Sequence, residues 1–201
     1  MTEESFPPIH SQWKDRSEID YISLFMSLWV SLNAWMSSRY KERRDRQKLD
    51  LLKRTGDELA SRFADLLYVE TYVGYSFRTN LGELHRALED ANIYYNRDRW
   101  QDRTITFSNC IIEWNDGNPC FESVIVQRNQ SDVEEFEPDD GIELEGALVV
   151  DSDTDRLFAA YVEIVYQIRN QLFHGALALN PANERVIRHL YITLSMTMER
   201  I

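Results

Sequence analysis

The sequence predicts a mainly α fold, an up-and-down bundle of four to five helices carrying an inserted β-hairpin and an acidic loop. Three observations predict it. Apolar residues recur at helical spacing near both ends of the chain, over 17–68 and 154–200. Between Arg103 and Gln127 the pattern turns β-rich around NDGNP, a strong turn signal. From Asn129 to Asp155 there are 11 acidic residues and no Lys or Arg, a composition that reads as an exposed loop. With 201 residues the chain suffices for one substantial core. It therefore reads as a single helical domain, 1–201, with 103–150 as a hairpin and acidic-loop insertion.

Ser17 opens the first helix signal, with Asp20 as its capping-box partner three residues later. Ile22, Phe25, Met26, Trp29, Leu32, Met36 and Tyr40 follow at helical spacing, and Leu24, Leu28 and Trp35 widen the stripe. A helix apolar on most sides belongs inside a bundle or at an oligomer interface. Asn33 interrupts it and needs a hydrogen-bond partner if buried. After the charged KERRDR turn, Asp45 caps a second helix predicted to run to about Tyr68, with Leu49, Leu52, Leu59, Phe63, Leu66 and Leu67 on its apolar side. A third helix is predicted from the Asn80–Glu83 capping box, burying Leu81, Leu84, Leu88 and Ala91. In the insertion TITF alternates, and CIIEW and FESVIV flank the turn as hairpin strands. Helical pattern resumes at about Thr154 and stops at Gly175. A last helix is expected from about Asn183, with Val186, Leu190, Ile192 or Thr193, and Met196 or Thr197 inward.

Charge and composition bound the function. The net charge of −12 argues against a polyanionic partner. Without the acidic segment, however, 23 acids face 22 bases, so the remaining body is near neutral. The apolar runs are far too short for a membrane span, and MTEESFPPIH lacks the basic and apolar regions of a signal peptide. Cys110 and Cys120 match no metal spacing and read as reduced thiols, so a cytoplasmic protein without membrane attachment is expected. DSDTD at Asp151 to Asp155 resembles the start of a calcium loop only superficially. Arg156 stands where that loop needs glycine, and Val162 where it needs the bidentate acid. His10, His85 and His189 have no ligand-like spacing, so no metal is expected.

VYQIRNQLFHGAL, Val165 to Leu177, holds the residues that packing does not explain. At about 100° per residue, Leu157, Phe158, Tyr161, Val162, Ile164, Val165, Ile168, Leu172 and Phe173 fill an arc of roughly 180°. Arg169 falls inside that arc. It must snorkel, pair with a buried acid such as Glu70 or Glu163, or face a pocket. His174 lies about 140° further round, on the polar side with Asn170. Gly175 supplies the stop and leaves the imidazole at the negative end of the helix dipole, where capping of terminal carbonyls is its simplest role. A fixed cation beside a titratable imidazole also suits phosphodiester cleavage, because histidine moves protons near neutral pH and arginine stabilises charge on phosphate oxygens. The angular separation suggests that two copies of the helix line one cleft.

RNQLFH fits the R-x4-H pattern, with a polar residue after the arginine, that marks the HEPN superfamily of small helical ribonucleases. YQIRNQLFHG resembles the C-terminal signature of prokaryotic, Apea-like HEPN proteins, and FMSLWVSLNAWMSSRY and DRQKLDLLK are similar to their first two helices. The resemblance covers roughly 17–67 and 154–200 and leaves out the insertion. It implies a homodimeric bundle in which two motifs form a composite cleft. It further implies RNA cleavage without metal or cofactor, by 2′-hydroxyl attack giving a 2′,3′-cyclic phosphate. By position, His174 would be the general acid or base, Arg169 the phosphate and transition-state ligand, and Asn170 the accompanying polar residue. Many relatives act as toxins, with an antitoxin or other regulatory protein as partner, or in phage defence. Others are inactive modules that bind a nucleotide or a protein, and a purely structural interaction protein is the reading of a different class. The acidic segment, lying just before the motif helix, would then solubilise the chain or shield the cleft from polyanions. If it shields, deleting Asp132 to Glu145 raises RNA affinity at low salt, and unchanged binding removes the idea.

Overall fold

The computed structural model describes residues 19–55, 57–95, 100, 102–126, 141–144 and 148–199. Among these, six helices and two short antiparallel hairpins share one hydrophobic core. The helices are α1 (Tyr21–Arg39), α2 (Asp45–Thr55), α3 (Glu58–Tyr68), α4 (Tyr72–Ala91), α5 (Thr154–Phe173) and α6 (Pro181–Met198). The strands are β1 (Cys110–Asn115), β2 (Asn118–Glu122), β3 (Ile142–Leu144) and β4 (Leu148–Val150). The mainly α class with an inserted hairpin is as predicted.

Asp20 caps α1, its Oδ1 accepting from the backbone N–H groups of Ile22 and Ser23 at 3.1 Å. A carboxylate there meets both the free donors and the positive end of the helix dipole. The predicted cap, Ser17, lies outside the described residues. Phe25, Trp29, Leu32 and Met36 form the buried face of α1, while Leu24 and Val30 are exposed. Asn33 meets its requirement for a partner through the Lys48 ammonium, at 3.4 Å.

The single helix predicted over 45–68 is two. The Asp57 side chain accepts from the Leu59 N–H and starts α3 anew, and the Tyr40 hydroxyl binds the other Asp57 oxygen from α1. Six helices replace the expected four to five for this reason. The third predicted helix starts earlier than expected, at Tyr72, capped by Thr71. Asn80 is interior to it and caps nothing. Its Nδ2 donates to the Ser76 carbonyl and its Oδ1 meets His189 Nδ1 at 3.0 Å, tying α4 to α6. The tight α3–α4 corner needs Gly74, since a Cβ there would stand 2.1 Å from the Val69 carbonyl oxygen. Arg78 then satisfies the Leu67 and Val69 carbonyls at the end of α3.

The NDGNP turn forms as predicted. Asp116 and Gly117 both take positive φ, 50° and 79°, the conformation of a two-residue hairpin loop. The strand predicted over FESVIV is shorter, ending at Glu122, although Ile125 forms an isolated bridge to Val150. The acidic segment is not wholly loop: β3 and β4 pair within it, with Ile142, Leu144 and Val150 in the core. A shield deletion must therefore stop before Gly141, and the rest of that stretch lies outside the described residues. Cys110 is buried in β1, and burial pushes its thiol up to about 12, while Cys120 is half-buried; both are free thiols.

α5 runs through the middle, against α2, α3 and β1, and α6 packs between α1 and α4. Phe63 of α3 touches the rings of Phe77, Phe158 and Tyr161 at 5.1–5.4 Å, joining three helices at one aromatic centre. The Tyr161 hydroxyl donates to Thr193 on α6, both fully buried. This packing leaves the C-terminal turn of α5 at the edge of the bundle, where the motif lies.

Candidate functional site

α5 ends in a Schellman turn built from backbone alone. Gly175 has φ 65°, its N–H donates to the Leu172 carbonyl, and the Ala176 N–H donates to Gln171 at 2.8 Å. The His174 N–H donates to the Asn170 carbonyl at 3.0 Å. The Asn170, Gln171 and Leu172 carbonyls are thus satisfied by backbone N–H groups and not by the imidazole, so side-chain capping is not the role of His174. Its ring is exposed and meets Phe173 edge-on, with centroids 5.4 Å apart.

Arg169 sits on the face predicted for it, half-buried against α1. Its guanidinium carbon lies 5.1 Å from the Trp29 ring centre and 4.7 Å from that of Phe173. Nη1 donates to Asn170 Oδ1 at 2.9 Å, and Nε is buried without an acceptor. Among the described residues no carboxylate pairs with it. The expected ion-pair alternatives do not form: Glu70 is exposed and makes no bond to it, and Glu163 is taken by other cations. The guanidinium is held by two aromatic faces, which attract a cation without neutralising it.

Phe173 was placed in the buried arc, yet it is 63% exposed. Helical phase put it there, but α5 outruns the core by a turn, so that phase faces solvent. Its ring touches both Arg169 and His174. Because the two separations share the Phe173 ring, guanidinium carbon and imidazole centre are at most about 10 Å apart within one protomer. The structure therefore brings Arg169, Asn170 and His174 to one edge of the bundle despite their angular separation. The sequence reading missed Phe173 and Trp29 as parts of this cluster. Both were counted as packing residues, since no local signal separates an aromatic that seats an arginine from one that fills a core.

Sequence reasoning also missed the buried ion cluster one turn earlier on the same helix. Glu163 is fully buried and accepts from Arg46 Nη1 at 2.8 Å on both oxygens, from Lys53 Nζ at 2.6 Å, and from Gln167. Lys53 also donates to the Ile111 and Ile112 carbonyls of β1, and the Arg46 guanidinium faces the Trp114 and Tyr166 rings. This cluster fastens α2 and the hairpin to α5. Arg46 also donates to Asp50 from Nε and Nη2, so two cations face two carboxylates and the cluster is structural. The other histidines differ from His174. His85 and His189 are largely covered, and burial lowers both pKa values; His10 lies outside the described residues.

No family model, curated protein or solved structure matches the chain significantly.

Proposed function

We propose that the protein is a metal-independent endoribonuclease of HEPN type that works as a homodimer in the cytoplasm. The observation that carries this reading is an arginine that meets no counter-ion among the described residues, seated between two rings beside an exposed imidazole that capping does not use. Arg169 supplies bidentate donors to the scissile phosphate and to the charge that grows on it in the transition state. His174 moves the proton. As base it takes the 2′-hydroxyl proton while O2′ bonds to phosphorus; as acid it protonates O5′ as the P–O5′ bond breaks. The products are a 2′,3′-cyclic phosphate and a 5′-hydroxyl. Asn170 holds the guanidinium plane by accepting from Nη1.

Exposed apolar side chains near the motif support a second copy. Val30 on α1 is 64% exposed, and Leu179, beyond the end of α5, is similarly open. A two-fold contact that covers such side chains would bring two motifs together. A toxin or phage-defence effector with a protein antitoxin fits this activity. The test is RNA incubated with the purified protein in EDTA, with end analysis of the fragments and a solution mass measurement. Cyclic phosphate ends and a dimer are expected. Intact RNA sinks the ribonuclease reading, and a monomer sinks the composite cleft.

A further inference from the structure

A concave surface lies directly behind the motif turn. Asn92, Tyr94, Gln171, Ala176, Leu177 and Asn183 line most of a cleft of about 370 Å³, within the range of small-ligand sites. Gln171 is three residues before His174 and Ala176 two after, so cleft and imidazole share one turn of chain. None of the described lining residues is charged, in a chain of which 28% is charged. Among the described residues a phosphate finds no cation there. The lining instead combines amides, backbone and an aromatic ring, which suits a neutral planar ligand.

Two further details define that ligand. Tyr94 is 52% exposed, which leaves ring surface available for stacking, and its carbonyl is tied to α5 by Gln171 Nε2 at 2.5 Å. Asn183, only 6% exposed, donates from Nδ2 to the Ala178 carbonyl at 2.7 Å, which fixes which end of its amide is oxygen. That oxygen, Oδ1, is buried without a donor among the described residues. A buried acceptor of fixed direction favours a ligand that brings an N–H.

We propose that this cleft binds a nucleobase bearing an exocyclic amino group, stacked on Tyr94 and directed by Asn183, next to the phosphate handled by Arg169 and His174. The inference rests on the ribonuclease reading and adds base preference to it. Free nucleosides test it, because they carry no phosphate and do not depend on cleavage.

Adenosine titrated into the full-length protein should shift the backbone amide resonances of Asn92, Ala176 and Leu177, with purine riboside, which lacks the exocyclic amino group and any other base N–H, binding roughly tenfold more weakly. Tyr94→Ala should weaken adenosine binding by roughly tenfold. Ala176→Trp, at an exposed position, should block it with unchanged circular dichroism. Absence of those shifts at millimolar adenosine overturns the proposal. So does equal binding of purine riboside, or the same shifts from inorganic phosphate. RNA cleavage without nucleoside binding removes the cleft alone, whereas nucleoside binding without cleavage removes the ribonuclease and leaves a base-binding site.

Discussion

Replacing His174 or Arg169 by alanine should lower the rate of RNA cleavage by about 100- to 10,000-fold, the usual cost of losing a general acid–base or an oxyanion ligand. Folding should change little for His174→Ala, because the helix stop is made by Gly175 and backbone bonds. Arg169→Lys should be nearly as inactive as Arg169→Ala. An ammonium cannot lie flat between Trp29 and Phe173, nor present two parallel donors. Phe173→Ala separates positioning from chemistry. The ring is exposed, so stability should hold while cleavage falls by about fivefold through loss of one cation–ring contact. Cleavage rates of wild type and the four variants, with thermal melts as control, decide the matter. If the His174 and Arg169 variants cut as fast as wild type, these residues are not catalytic.

Glu163→Gln should destabilise the protein by about 3–5 kcal/mol, because the buried Lys53 ammonium then loses the one carboxylate it meets among the described residues, while Arg46 keeps only Asp50. Against a total of about 5–15 kcal/mol for an ordinary domain, that is a large share. The effect should exceed that of any surface pair here, such as Arg185–Asp90, whose partners are both more than half exposed. Burial alone would raise the Glu163 pKa, but Lys53 and Arg46 together outweigh it, so the carboxyl is held below its ordinary value of 4.5. A depressed folded-state pKa means that the unfolded chain binds the proton first as pH falls. The contribution is therefore complete above about pH 4.5, the unfolded value, and is lost as pH drops through the lower folded value. Urea unfolding at pH 7 and along an acid series checks both statements. Wild type should lose stability on acidification more steeply than Glu163→Gln, and parallel curves would contradict the assignment.

How much of this was legible beforehand depended on the range of the interaction. The 115–118 turn was readable because Asp-Gly is suited to two consecutive residues at positive φ, a purely local demand. The end of α5 was readable for the same reason, at Gly175. The break at Asp57 was missed although its cap is local, since apolar residues continue in helical phase on both sides and a helix pattern does not show its own interruptions. The start of α4 was missed because Thr71 and Gly74 look like breakers until Val69 packs against the glycine. Glu163 was considered as a partner for Arg169. Its actual partners, 117 and 110 residues away, follow only from how α2 lies along α5.

The sequence by itself determined the helical class, the hairpin turn, the cap that ends the motif helix and the spacing of Arg169 from His174. Each depends on backbone preference or on periodicity over a few residues. Only the tertiary structure decided that Arg169 meets no acid among the described residues, that Trp29 and Phe173 hold it, and that a cleft whose described lining is uncharged opens behind His174. Those are matters of which distant groups come within a few ångströms of one another. A side chain's free charge is the sum of all its neighbours, and a linear pattern records only the nearest of them.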